Sequence, residues 1–143
     1  MRSVIERRSL ILGAAAAGLA APALAKGKPM PLAALYGRGG AFSDAALDLK
    51  GRRITVTGFM APPLKANMAF FVLTEIPMAV CPFCSDAAEW PDDIVAIYTK
   101  RVIDVVPYDA PVATTGVLEL GERRDPDTGF VSLVRLVDSV YAR

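Results

Sequence analysis

Arg52-Arg53-Ile54-Thr55-Val56-Thr57-Gly58-Phe59-Met60 is the stretch on which the fold reading turns. Ile54, Thr55, Val56 and Thr57 are β-branched. Such side chains are restricted in a helix and pack well on a pleated sheet. The run ends before Pro62-Pro63, which cannot continue a ladder. Gly58 lies inside it, and a glycine within a strand marks a sharp bend or a close backbone approach.

Four similar runs follow. Residues 69–74 (AFFVLT) are aromatic and apolar and stop before Pro77. Residues 93–99 (DIVAIYT), 111–120 (PVATTGVLEL) and 130–137 (FVSLVRLV) have the same character, and the last extends toward Tyr141. Asp125-Pro126-Asp127-Thr128-Gly129 is a turn between the last two. No segment keeps a 3.6-residue apolar period over the length of an ordinary helix. One short helix is predicted near residues 43–47, with Ser43 as its cap. A second candidate, residues 85–90, is cut off by Pro91. The expected fold is all-β: a small five-stranded OB-like barrel, the glycine letting its first strand bend to join both sheets. The region holding Pro29, Pro31, Gly37, Gly39 and Gly40 reads as an irregular lead-in.

The first 25 residues have another character. Arg7-Arg8 precedes Ser9-Leu10-Ile11-Leu12, which resembles the twin-arginine export motif. An apolar run over residues 10–21 is too short and too weakly hydrophobic to span a bilayer. Ala23-Leu24-Ala25 fits a small-x-small cleavage site. The organisation read from the chain is therefore a signal peptide at 1–25, a lead-in at 26–45 and a β domain at 46–143. The expected location is the periplasm, with no membrane anchor after cleavage.

Charge and composition exclude several functions. The chain has 16 basic and 15 acidic residues. Removing the signal takes away three arginines and one glutamate, leaving 13 and 14. No basic stripe remains for nucleic acid. Histidine is absent, which excludes Ser-His-Asp and Cys-His catalysis and histidine metal sites. Ser85 follows the Cys-x-x-Cys, so c-type haem attachment is excluded as well. There is no glycine-rich phosphate loop.

Chemistry concentrates in Cys81-Pro82-Phe83-Cys84, between the second and third strand signals. Two sulfurs at this spacing can hold a soft metal, exchange electrons or form a disulfide. Thiolates suit copper(I), with Met78 as a third donor. They also supply half of a zinc site, with Asp86, Glu89 or a second subunit completing it. As a redox pair, Cys81 would attack and Cys84 resolve, but Pro91 leaves little helix to lower a thiol pKa. A plain disulfide would close a very short loop and gain little from it. Free thiols would be prone to oxidation outside the cytoplasm. Met60, Met68 and Met78 are better suited to filling core gaps than to a common thioether surface. Trp90 is expected to cover one end of the barrel.

Leu49-x-Gly51-Arg52-x-Ile54-x-Val56-x-Gly58-Phe59-Met60 and Pro111-Val112-x-x-Thr115-Gly116-x-Leu118 resemble strands of a family of uncharacterised exported bacterial OB-like domains. The resemblance covers about residues 45–141. Its loop usually carries Cys-x-His and a proline run, where this chain has Cys-Pro-Phe-Cys. The resemblance implies association with metal-uptake or transporter systems. The expectation is a periplasmic, non-catalytic, metal-related accessory or binding protein. Its metal, copper(I) or zinc, would be held by Cys81, Cys84, Met78 and Asp86, and a membrane transporter component would be its partner. The alternatives are a periplasmic thiol–disulfide oxidoreductase and a disulfide-fastened interaction module of a transport complex.

Overall fold

Every β-branched run becomes a strand in the computed structural model, which describes residues 27–63, 65–80 and 93–143. In chain order these are β2 (Arg53–Met60), β3 (Phe70–Thr74), β4 (Ile94–Thr99), β5 (Pro111–Arg124) and β6 (Val131–Ala142). The protein is all-β, with one short helix, α1 (Asp44–Leu49), and two 3-10 turns among the described residues. Ser43 caps α1 by accepting a 3.0 Å hydrogen bond from the Ala46 amide. Among the described residues no helix is long and apolar enough to cross a membrane. The twin-arginine segment and cleavage site expected from the sequence lie outside the described residues.

The sheet has six strands, not the five expected. The additional one, β1 (Met30–Pro31), lies parallel to β2, with Met30 opposite Val56 and Pro31 opposite Thr57. Two residues carry no periodicity that sequence reading can detect, and Pro31 has no amide to donate. Position against β2 alone makes this a strand. The fourth run also continues beyond Leu120, where the sequence reading ended it. Gly121 has φ 110°, and the β5–β6 register shifts between Leu120 and Arg123. After this bulge the ladder resumes through Arg123 and Arg124.

The strand order is β1-β2-β3-β4-β6-β5, and β5 pairs back onto β2. The pairings are antiparallel except β1–β2 and β4–β6. β2 therefore pairs with three strands, β1, β5 and β3. Residues 53–59 pair with β5, while Phe59 and Met60 pair with Thr74 and Leu73 of β3. Gly58 stands at this handover. A Cβ there would lie 2.7 Å from the Thr74 carbonyl oxygen and 2.9 Å from Leu73 Cγ. Gly116 of β5 is equally confined, with its absent Cβ 2.2 Å from Ser139 Oγ and 2.9 Å from the Val137 carbonyl. Neither glycine needs a positive φ, so space decides both.

Alternation along the strands sends Val56, Phe71, Leu73, Val95, Ile97, Val112, Leu118, Val134 and Leu136 into one core. Leu32 and Leu35, from the lead-in, are as deeply buried in it as any strand residue. The lead-in is therefore part of the packed body. The opposite faces of β3 and β4 carry a second cluster of Phe70, Val72, Ile94 and Ala96, so β3 is buried on both faces.

Gly58→Ala and Gly116→Ala are each expected to destabilise the fold by about 1–3 kcal/mol through overpacking. Denaturant unfolding checks this; Gly27→Ala, where nothing lies within 4 Å of the added Cβ, is the control. Unchanged midpoints for Gly58→Ala and Gly116→Ala would refute the spatial argument.

Candidate functional site

The segment carrying the cysteines joins β3 to β4, and its two ends meet on one rung of the sheet. Thr74 is opposite Ile94, and the Glu75 amide donates to the Asp93 carbonyl at 3.0 Å. Thr74 is fully buried, and its hydroxyl is 2.8 Å from the Ile76 carbonyl and 3.2 Å from the Phe59 carbonyl. The Tyr36 hydroxyl donates to the Ile94 carbonyl. The neck of the loop is thus held by its own ladder, by β2 and by the lead-in. Past the neck, Ile76 and Val80 are exposed.

Of the predicted ligands, Met78 is described: it is half-buried on the ascending side of the loop. Cys81, Cys84 and Asp86 lie outside the described residues, as do Glu89, Trp90 and the helix expected at 85–90. Among the described residues no three cysteine or carboxylate side chains are grouped to hold a metal. The three methionines do not share a surface. Met60 is in the main core, where its sulfur accepts from the Val106 amide at 3.4 Å, and Met68 packs on the second cluster.

The outward face of β4 runs from the neck to Tyr98, and the β5–β6 turn closes over that end. Phe70 stacks against Tyr98 and Phe130 with ring centroids 5.0 and 5.2 Å apart, and the Arg123 guanidinium lies 5.3 Å from the Tyr98 ring. Burial raises the Tyr98 phenol above its ordinary value, and the Asp125 carboxylate adds to this against the opposing charges of Arg123 and Arg135. Asp125 itself is lowered. Partial burial pushes it up, but hydrogen bonds from the Thr128 amide and hydroxyl and from the Asp127 amide, at 2.8–3.0 Å, outweigh it. Arg135 is buried behind this turn, bonded to Glu119 at 2.7 Å and to the Gly121 carbonyl at 2.8 Å.

Sequence reading located the loop but missed what braces it. In the sequence Thr74 stands as the last residue of a strand, and Tyr36 as part of an irregular segment. The only sequence signal for Tyr36 was an aromatic residue among glycines and prolines, a pattern of weak meaning.

No family model matches this chain, and no curated protein matches it. Among solved structures it is similar to a DUF3299 family protein from Pseudomonas aeruginosa PAO1. The identity is 12% and the TM-score 0.47, over 78% of this chain and 91% of that one.

Asp125→Ala is expected to lower the melting temperature at neutral pH. A carboxyl held below its unfolded value stabilises the fold above that value and loses the effect as pH falls through its folded pKa. The gap between the native protein and the variant should therefore narrow once the pH drops below the ordinary carboxylate range. A gap independent of pH down to about 2 would contradict the assignment.

Proposed function

We propose that this is an exported periplasmic protein whose Cys81 and Cys84 bind a soft metal, copper(I) or zinc, in a non-catalytic accessory or binding role. The observation that carries the reading is the neck. A loop whose ends are fixed on one rung between two antiparallel strands, and braced by Thr74 and Tyr36, can present donors from an anchored base. The donor chemistry fits: two thiolates with the Met78 thioether nearby in sequence suit copper(I), and Asp86 offers the oxygen that zinc accepts. When bound, the metal would supply a cross-link within the loop and a labile cargo for transfer. A membrane transporter component is the proposed partner.

The fold proposed for this role is an OB-like barrel. Its support is the ring of pairings β2-β3-β4-β6-β5-β2, with β4 and β6 parallel and β1 as an added edge. The loop also joins neighbouring antiparallel strands, where a thioredoxin-like βαβ unit would join parallel ones, which favours metal holding over thioredoxin-like exchange.

The test is the metal content of mature protein purified anaerobically from the periplasm, beside a Cys81→Ser/Cys84→Ser double variant. Copper or zinc near one per chain, or one per two chains, lost in the variant, is the expected result. Metal absent from both overturns the binding reading. A reduction potential above about −230 mV would then point to exchange, and one below about −300 mV to a fastening disulfide.

A further inference from the structure

The second surface with chemical content lies at the other end of β4 from the cysteine loop. Beyond the Thr99–Ser139 pair the two parallel strands part. β6 continues through Val140, Tyr141 and Ala142, paired with β5 on one side through Thr115, Thr114 and Ala113. Among the described residues its other edge has no ladder partner there. The chain after β4 instead swings away as an irregular segment. Its main chain meets β6 through a side chain: the Tyr141 hydroxyl accepts from the Asp104 amide at 2.7 Å and donates to the Asp104 carbonyl at 2.8 Å. The tyrosine ring is anchored edge-on to Phe71, 5.3 Å away. Strand and segment are thereby held apart, and a cleft of about 770 Å³ opens between them.

The walls of this cleft are apolar and basic. Val102, Val105 and Val140 are more than half exposed on it. Arg53, Lys100, Arg101 and Arg143 line it against two acids, Asp104 and Asp138. Asp138 is already engaged: it pairs with Arg53 and lies 2.6 Å from Lys100, and these two cations hold its carboxyl below the ordinary value. The Arg101 and Arg143 guanidinium groups have no ion pair among the described residues. An unpaired strand edge, an exposed valine on that strand, a facing apolar wall and an excess of positive charge together specify the complement.

We propose that this cleft binds an extended acidic–apolar segment of a partner protein, which adds to the free edge of β6 at Val140–Ala142. Main-chain hydrogen bonds to the edge supply affinity. Alternate apolar side chains lie on Val102, Val105 and Val140, and intervening carboxylates face Arg101 and Arg143. The site is independent of Cys81 and Cys84.

The test uses the mature protein and an amidated hexapeptide of alternating glutamate and valine carrying an N-terminal fluorophore, followed by fluorescence anisotropy at low and physiological salt. Saturable binding that weakens with salt is expected. Arg101→Glu should weaken it by about tenfold or more, since this exposed side chain makes no ion pair and its replacement leaves the fold intact. Methylating alternate backbone amides of the peptide should abolish binding, because strand addition needs those donors. Amide shifts should concentrate at residues 138–143 and 100–106. Equal binding of a control hexapeptide of alternating lysine and valine, equal binding of the methylated peptide, or indifference to Arg101→Glu would each overturn the proposal. So would concentration-dependent dimerisation abolished by Val140→Lys with no peptide binding, which would assign the edge to a second copy of this chain.

Discussion

The structure depends on β2 holding both β5 and β3. A strand in a flat sheet has a neighbour on each side along its length. β2 instead gives residues 53–59 to β5, then turns Phe59 and Met60 toward β3. That change of direction brings the first strand against both the second and the fourth of the five longer strands, and closes the ring of pairings. It is possible only where the chain comes within contact distance of β3 with no side chain between. Gly58 supplies the opening on β2, and Gly116 the matching one on β5, where Ser139 fills the space. The core follows from this closure. One alternating face of each strand points inward, and among the described residues the interior becomes apolar without a large helix to cap it.

The lead-in completes what closure leaves open. The β2–β3 ladder is only two pairs long, so much of that edge of β2 would otherwise be bare. β1 pairs with part of it, Leu32 and Leu35 fill the core beside it, and Ser43 ties the start of α1 back to the Ala34 carbonyl at 2.7 Å. The strand pairing and the core contacts join residues far apart in sequence, and all three are made by a segment with no regular pattern of its own.

That contrast explains what was legible. The five long strands could be read because β-branched runs bounded by proline and glycine state their preference locally. Gly58 could be read as a bend for the same reason, and the Asp125 turn because its side chain bonds its own backbone. β1 could not: Met30-Pro31 is a strand only because Val56 and Thr57 are beside it. The Gly121 bulge was mistaken for a strand end, since a glycine before charged residues looks the same in either case. At the candidate site, Cys81 and Cys84 were visible as chemistry, whereas Thr74 and Tyr36 act through position and carry no motif. The cleft was invisible for a related reason. Lys100-Arg101 and Val140 are ordinary surface residues until the parting of β4 and β6 sets them face to face.

The clasp between Thr74 and Ile94 has a consequence for how such a chain can vary. Closing a longer connection costs little once its ends are fixed, about 0.6 kcal/mol for each doubling of length. A change in the length of the connection that bears the cysteines is therefore a small cost beside the packing that fixes its ends. Insertions, deletions or an entirely different set of donors between residues 76 and 92 would leave the rung intact. The fold is in this sense a mount, and the head it carries can be exchanged without rebuilding what holds it.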